Sequence, residues 1–212
     1  MSDRITVTTW HLEQTSPADL TPAGGAAEAP GVRIVRAEVP SPEFSRFLYT
    51  AVGQDVTWTD RLGWPYARWR EFLDRPGVET WVAYDRGTPA GFIELDGGDG
   101  QPGTSGASGA SGESGESGES GESTVEISYF GLLPAFRGRR IGGLLLSYGT
   151  ARAWDLADRR PGRAETKRVW VHTCSKDGPH ALGNYERRGF RVFRTVTEEE
   201  PALPTPGPWP GA

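Results

Sequence analysis

The stretch LPAFRGRRIGGLLLSYG at residues 133–149 is the part of the sequence that says most about the fold. Its arginines and glycines come directly before an apolar run with the periodicity of a helix. The first turn of a helix offers unpaired N–H groups and a partial positive charge, glycine lets a ligand approach the backbone, and arginine neutralises phosphate. The stretch therefore predicts a site for a phosphate-bearing ligand at residues 137–143.

The composition favours a folded protein of a reducing compartment. The 212 residues include a single cysteine, Cys174, so the chain forms no internal disulfide and has no second thiol for a zinc site. Residues 1–14 lack the basic start and apolar core of a signal peptide, and no apolar run reaches membrane-spanning length. We therefore expect a cytoplasmic protein with no membrane partner.

The charge of the chain gives no support for nucleic-acid binding. The formal net charge is −5, and five of the 28 acidic residues lie in residues 97–123, where lysine and arginine are absent. The rest of the chain is balanced in charge, without the basic excess that binds a phosphate backbone. Nucleic acid is therefore not an expected partner.

Two low-complexity segments suggest the domain organisation. Residues 97–123 form a Gly/Ser/Glu repeat with almost nothing apolar to bury, which predicts a disordered insert in a hairpin. Residues 198–212 are polar and proline-rich and are expected to form a loose tail. Residues 1–31 are expected to form an N-terminal strand and loop, which leaves residues 32–197 as the main domain.

Hydrophobic periodicity predicts strands and helices in a mixed order. Strands are expected at residues 5–14, 32–39, 79–85, 90–95, 124–132, 168–175 and 190–198. Helices are expected at residues 41–53, 65–75 and 180–189 and from residue 141 onward, and Ser41 and Pro42 are placed as N-cap and first residue of the first helix. The buried face of the helix from residue 141 is expected to contain Ile141, Leu144, Leu145, Tyr148 and Ala151. The expected fold class is α/β, with a mixed sheet flanked by helices.

Two motifs resemble the GNAT acyltransferase superfamily. Residues 137–142, Arg-Gly-Arg-Arg-Ile-Gly, resemble its signature Gln/Arg-x-x-Gly-x-Gly/Ala, with Arg140 where the signature has glycine. Residues 180–190, HALGNYERRGF, resemble its segment Ala-x-x-x-Tyr-x-x-x-Gly-Phe, with Ala181, Tyr185, Gly189 and Phe190 in register. The resemblance covers about residues 32–197. It implies a GNAT-like, mainly antiparallel twisted sheet with an extra N-terminal strand.

The resemblance also implies an N-acetyltransferase that moves an acetyl group from acetyl-CoA to an amine by direct attack in a ternary complex. The backbone of Phe130, Gly131 and Leu132 would pair with the pantetheine arm as an added strand would. The residues that would hold the pyrophosphate are Arg137, Gly138, Arg139, Arg140, Ile141, Gly142 and Gly143. Arg140 would either turn outward or add a phosphate contact. No metal is expected.

The resemblance assigns Tyr185 as the general acid that protonates the leaving thiolate, and the alternative for it is a core aromatic. The general base stays open between three residues and a water chain. Glu126 shares a face with Ser128 and Phe130 if the strand alternates regularly. Glu94 lies on the preceding strand. His172 alternates with Trp170 and Cys174 on a later one.

The aromatic stretch VTWTDRLGWPYARW at residues 56–69 is expected to receive the acceptor, with Asp60 pairing the ammonium and Trp64 forming an apolar wall. The alternative is a helix pair that docks its aromatic side chains into the core.

The acceptor would be a small-molecule or protein amine, and a homodimer is compatible with the sequence. A non-catalytic acyl-CoA or ligand-binding module is the alternative function. A P-loop is disfavoured because RGRRIGG lacks the Gly-Lys-Ser/Thr ending.

Overall fold

A computed structural model describes residues 4–24, 29–56, 58–98 and 123–202. The strands in these ranges are β1 (Arg4–Gln14), β2 (Val32–Arg36), β3 (Val78–Asp85), β4 (Thr88–Asp96), β5 (Thr124–Leu132), β6 (Arg168–Cys174) and β7 (Arg191–Pro201). The α-helices are α1 (Pro42–Gly53), α2 (Tyr66–Leu73), α3 (Ile141–Trp154) and α4 (Ala181–Glu186). The predicted elements are therefore present in the predicted order.

The strands form one mixed sheet in the order β2-β3-β4-β5-β6-β1-β7. The pairing of β5 with β6 is parallel, and every other neighbouring pair is antiparallel. The predicted α/β fold class with a mainly antiparallel sheet is confirmed. The N-terminal strand β1 lies inside the sheet, between β6 and β7, so it covers the edge that β6 would otherwise expose.

Helix α3 packs on one face of the sheet and forms the main core with it. The buried side of α3 is rotated from the predicted one, because Leu144, Tyr148 and Ala151 are only partly buried. The residues of α3 that are buried are Ile141, Leu145, Leu146, Ser147, Gly149, Thr150 and Ala153. Gly149 accounts for the rotation, since a Cβ there would stand 2.5 Å from Cδ1 of Ile93 in β4. The helix turns its smallest residue toward the sheet and so approaches it closely.

Helices α1 and α2 lie on the opposite face. Ser41 is the N-cap of α1, as predicted, and its hydroxyl accepts a hydrogen bond from the backbone N–H of Phe44 at 3.2 Å. Leu48 and Val52 of α1 pack against Val82 and Phe92 of the sheet in a second apolar cluster. The sheet therefore has a core on each face, and the two faces receive different side chains of β5.

The two low-complexity segments meet the sheet at defined points. β4 and β5 are antiparallel neighbours on either side of residues 97–123, with Asp96 paired to Glu126. The expectation for residues 99–122 lies outside the described residues. The loose tail expected from residue 198 is wrong for residues 198–201, because β7 runs to Pro201 and pairs there with β1. Residues 203–212 lie outside the described residues.

Candidate active site

The candidate site lies where the parallel strands β5 and β6 diverge. Their paired register runs from Thr124 with Arg168 to Ile127 with Val171. Beyond these pairs β5 stays with β4 as far as Leu132, while β6 continues along β1. A cleft therefore opens between two strands that are held by different neighbours.

A β-bulge in β5 marks the start of the cleft. Leu95 of β4 pairs with Ile127 and Glu94 pairs with Tyr129, which leaves Ser128 without an opposing residue. The regular alternation expected for Glu126, Ser128 and Phe130 is therefore wrong. Ile127 and Phe130 both pack in the core beneath α3, whereas Tyr129 packs on the α1 side. The extra residue shifts every side chain after it to the other face.

Tyr185 packs beside this cleft from the α3 side. Its ring is 6.1 Å from the ring of Phe130 and 6.0 Å from that of Phe190, in edge-to-face contact with both. Burial raises the pKa of Tyr185, and the charge of Asp177 raises it further, so the phenol stays protonated. Its hydroxyl has no hydrogen-bond partner among the described residues, so its donor is available to a ligand.

Glu126 and His172 meet at the vertex of the cleft. The Nδ1 atom of His172 lies 3.4 Å from Oε1 of Glu126, whose side chain is buried while that of His172 is 41% exposed. Burial opposes the charged imidazolium, but the carboxylate of Glu126 hydrogen-bonds and attracts it, and Asp177 and Asp60 add to the attraction. The net effect is a raised pKa of His172. The geometry thus places a buried carboxylate against the imidazole of His172.

Two arginines of the predicted phosphate loop, Arg137 and Arg139, form ion pairs with acidic residues elsewhere in the chain. Arg137 donates from Nε to the carbonyl oxygen of Leu132 at 3.1 Å and forms a bidentate ion pair with Asp55. Arg139 pairs with the buried carboxylate of Asp85 at 2.5 Å. Both side chains remain more than 40% exposed. They connect the loop to the turn after α1 and to the last residue of β3.

Arg140 takes the backbone conformation that suits glycine. It is the N-cap of α3 with φ of 63° and ψ of −3°, in the left-handed region. The signature that this loop resembles has glycine at this position, and glycine adopts this conformation without strain. Gly138 has φ of 73°, with no atom within 4 Å of where a Cβ would stand. The backbone of the loop is therefore open at Gly138 and strained at Arg140.

The first turn of α3 is close to the N-terminal segment of the chain. The backbone N–H of Ala23 donates to the hydroxyl of Ser147 at 2.8 Å. A Cβ on Gly143 would stand 3.1 Å from the Cβ of Ala23, and one on Gly142 would stand 3.5 Å from Cδ1 of Leu132. Ile141 is buried in the core. The connection between β1 and β2 thus passes beside the predicted phosphate site.

Gly131 permits α1 to approach the sheet. A Cβ at this position would stand 2.5 Å from Cγ1 of Val52. The side chains of Phe130 and Leu132 point to the other face, into the core beneath α3. The side chains of residues 130–132 are thus occupied by packing. The backbone edge of β5 that faces away from β4 is the part that borders the cleft.

The two predicted acceptor residues have different surroundings. Asp60 is exposed and accepts hydrogen bonds from the hydroxyls of Tyr49, at 2.7 Å, and Tyr129. Trp64 packs edge-on against Trp69 and Phe72, at ring distances of 5.3 and 5.7 Å. Asp60 therefore faces the solvent beside β5, whereas Trp64 belongs to the packing of α2.

Arg61 and Glu94 form a buried ion pair beneath Asp60. The Nη1 atom of Arg61 is 2.8 Å from Oε1 of Glu94, and both side chains are 2% exposed. Four aromatic rings surround the guanidinium, and those of Phe72 and Tyr129 are the nearest at 4.2 and 4.4 Å. Burial raises the pKa of Glu94 against the opposing attraction of Arg61. Glu94 is thus engaged as the counter-ion of Arg61.

Sequence reasoning missed Tyr49, Tyr129 and Arg61, which surround Asp60. Tyr129 directly precedes Phe130, and only the bulge at Ser128 turns it toward Asp60. Tyr49 lies within the predicted first helix, and its spacing there resembles that of an ordinary core residue.

The described ranges contain no cluster of metal-binding side chains and no helix long and apolar enough to cross a membrane.

Residues 43–190 match the acetyltransferase (GNAT) family. A GCN5-related N-acetyltransferase from Kribbella flavida is 17% identical, with a TM-score of 0.54, over 92% of this chain and 58% of that one. One from Sphaerobacter thermophilus is 17% identical, with a TM-score of 0.56, over 92% and 52%. A tandem GNAT protein from the clavulanic acid biosynthesis pathway is 16% identical, with a TM-score of 0.53, over 96% and 55%.

At these identities the structural likeness shows the fold alone. The chain spans just over half the length of the three structures. No curated protein sequence matches it.

Proposed function

Because the chain belongs to the acetyltransferase (GNAT) family, we propose that it transfers an acetyl group from acetyl-CoA to a primary amine within a ternary complex. The observation that carries the proposal is the cleft between β5 and β6. Tyr185 approaches it from one face of the sheet with an unused hydroxyl, and the Glu126–His172 pair approaches from the other. A protonated donor and a titratable pair therefore border one opening.

The phosphate loop supports acetyl-CoA as the acyl donor. The backbone N–H groups of Ile141, Gly142 and Gly143 lie in the first turn of α3, where a helix provides no internal acceptor. Gly138 leaves open space above the backbone just before them. These groups would hold the pyrophosphate, and the backbone edge of residues 130–132 that faces away from β4 would pair with the pantetheine arm. Acetyl-CoA supplies the acyl group as a thioester.

Between ammonium and amide the acceptor nitrogen loses two protons and the leaving sulfur gains one, and we assign these transfers to residues of the cleft. The acceptor ammonium loses a proton to His172, which acts in its neutral form above its raised pKa. Glu126 is the positioning residue that orients the imidazole through Nδ1. As the neutral amine attacks the thioester carbonyl, the C–N bond forms and the C–S bond breaks. Tyr185 donates its hydroxyl proton to the departing sulfur and regains a proton, through solvent, from the nitrogen that becomes the amide. Glu94 takes no part, because Arg61 holds it in a buried ion pair.

Asp60 is the group that suits the acceptor. Its carboxylate is exposed, and two tyrosine hydroxyls hold it in place. An organic cation would pair with it beside the rings of Trp58 and Tyr129. We therefore propose that the acceptor is an amine on an aliphatic or aromatic group, as a small molecule or as a protein side chain, with the cytoplasm as the site of action. Trp64 would support the aromatic side of this acceptor site through its packing on α2.

The test is CoA release from acetyl-CoA in the presence of a panel of alkyl, aryl and diamino acceptors. We expect turnover with at least one cationic amine and, in Asp60→Asn, a raised KM for that amine with a smaller change in kcat. CoA binding by calorimetry should be the same in both proteins. Binding of CoA without turnover on any amine would favour the alternative, a non-catalytic acyl-CoA-binding module.

A further inference from the structure

A cavity lies beside the end of the sheet where β3 begins, away from the residues of the candidate active site. It has a volume of about 150 Å³, and Arg36, Arg75 and Arg160 are among the residues that line it. Val78, the first residue of β3, also lines it and pairs with the last residue of β4. This last residue, Asp96, also pairs with Glu126 on its other side, but none of the residues that line the cavity belongs to the candidate active site. The cavity is therefore separate from the acetyl-transfer cleft.

Two of these arginines, Arg36 and Arg160, lie near one fully buried carboxylate, that of Glu79. Arg159 donates to Glu79 from Nη2 at 2.8 Å and from Nε at 3.2 Å, and Trp81 donates from Nε1 at 3.1 Å. Arg159 and Trp81 do not line the cavity. Both oxygens of Glu79 therefore accept hydrogen bonds from residues outside the cavity wall. One bidentate arginine is the usual complement of a carboxylate.

Arg36 and Arg160 are in excess of what Glu79 can neutralise. Their guanidinium nitrogens lie 3.3 and 3.7 Å from the same oxygen, Oε1, and neither side chain forms a hydrogen bond within the described ranges. The Nε of Arg160 is buried without a partner. Each arginine carries five donors, and a buried donor without an acceptor costs free energy unless an ion or water satisfies it.

The other charges near the cavity are mostly matched. Arg75 pairs with Asp96 at 2.6 Å, and Asp74 pairs with Arg70 at 2.7 Å. Glu38 is exposed and is the remaining carboxylate of the wall. Burial lowers the pKa of the neighbouring Arg163, and the charge of Arg160 lowers it further, against the attraction of Asp96. Positive charge is thus concentrated at Arg36 and Arg160.

From this surplus of charge and of unused donors, we infer that the cavity lined by Arg36 and Arg160 binds a small oxyanion with two or more acceptor oxygens. Phosphate and a short dicarboxylate share this chemistry, and both are small enough for the volume of the cavity. The anion would accept hydrogen bonds from both guanidiniums. It would satisfy the donors of Arg36 and Arg160 that Glu79 cannot. The site is independent of acetyl transfer.

The test is isothermal titration of the full chain with inorganic phosphate and, separately, with succinate, at low and constant ionic strength. We expect saturable binding of at least one anion at one site, with a rise in thermal midpoint. Arg160→Gln should weaken that binding about tenfold or more, since it removes a charged donor. Arg33→Gln is the matched control, because Arg33 is exposed on β2, three residues from Arg36, and does not line the cavity.

The two anions distinguish a tetrahedral from a carboxylate ligand, and binding of either that depends on Arg160 supports the site. Equal binding to wild type and Arg160→Gln would overturn it. So would heat and thermal shifts no larger than those of chloride at the same ionic strength, because only general screening would then be present. Arg160→Gln is expected to fold, since Glu79 keeps its bonds to Arg159 and Trp81.

Discussion

The imidazole of His172 lies 3.4 Å from the carboxylate of Glu126, measured from Nδ1 to Oε1, at the point where β5 and β6 part. The two residues are 46 positions apart in the sequence and adjacent in the sheet, since Trp170 pairs with Glu126. A buried carboxylate beside a solvent-accessible imidazole controls when that imidazole holds a proton.

We expect Glu126→Gln to lower the pKa of His172. The other charged groups that act on this imidazole are Asp177 and Asp60, and the ring of His11 lies 6.0 Å away. An NMR titration of the ring should give a midpoint above 6.5 in the wild type and a lower one in the variant. If His172 is the base, the acidic limb of the kcat profile should move to lower pH by the same amount. Coinciding midpoints in the two proteins would contradict the coupling.

The same ion pair makes stability depend on pH. The pKa of His172 is raised in the folded state, so its stabilising effect is complete below the unfolded value near 6.5 and is lost as pH rises through the folded value. The free energy of unfolding of the wild type relative to Glu126→Gln should therefore decrease from pH 6 to pH 9. The change should be below about 1 kcal/mol, because His172 is partly exposed and solvent screens the pair. Urea unfolding at several pH values measures it.

We expect Tyr185→Phe to reduce kcat about a hundredfold, equivalent to about 3 kcal/mol in the barrier, because it removes the proton donor and keeps the ring. CoA binding and the thermal midpoint should hardly change, since the ring contacts with Phe130 and Phe190 remain. Single-turnover acetyl transfer is the measurement. Tyr66→Phe, at an exposed tyrosine of α2, is the control and should behave as wild type. Unchanged turnover in Tyr185→Phe would make Tyr185 a core residue only.

Replacement of Arg140 by glycine should give a more stable protein than replacement by alanine. Both changes remove the arginine side chain, so their difference reports the backbone alone. Only glycine adopts φ of 63° without strain, and the expected difference is about 1 kcal/mol in the free energy of unfolding. CoA affinity should follow the same order, because a strained loop holds its N–H groups less well. Equal stability of the two variants would show that the left-handed conformation is not maintained.

Gly131→Ala should destabilise the protein by about 1–3 kcal/mol, because the new methyl group would meet Cγ1 of Val52. In the Val52→Ala background the same substitution should cost less, since the opposing methyl is absent. A double-mutant cycle of urea unfolding measures this coupling. Additive costs would mean that α1 does not constrain residue 131.

Local patterns were sufficient to predict most elements of the fold. The helix from Ile141 and the cap at Ser41 depend on neighbours within a turn. Strands such as Thr124–Leu132 are rich in the β-branched and aromatic residues that favour strands. The candidate loop at residues 137–143 was found for the same reason, since glycine, arginine and a helix start are contiguous. Tyr185 was found because its spacing to Gly189 and Phe190 is contained in one short segment.

The sequence by itself thus determined the order and type of the elements and was sufficient to propose the phosphate loop and Tyr185 as site residues, because each of these depends on hydrogen bonds and periodicity within about ten residues. The tertiary structure decided the rest. It inserted β1 between β6 and β7, placed the bulge at Ser128 that turns Tyr129 toward Asp60, and paired Arg137 with Asp55. These contacts join residues far apart in the chain, and they exist only once strands and helices pack and exclude water from the groups between them.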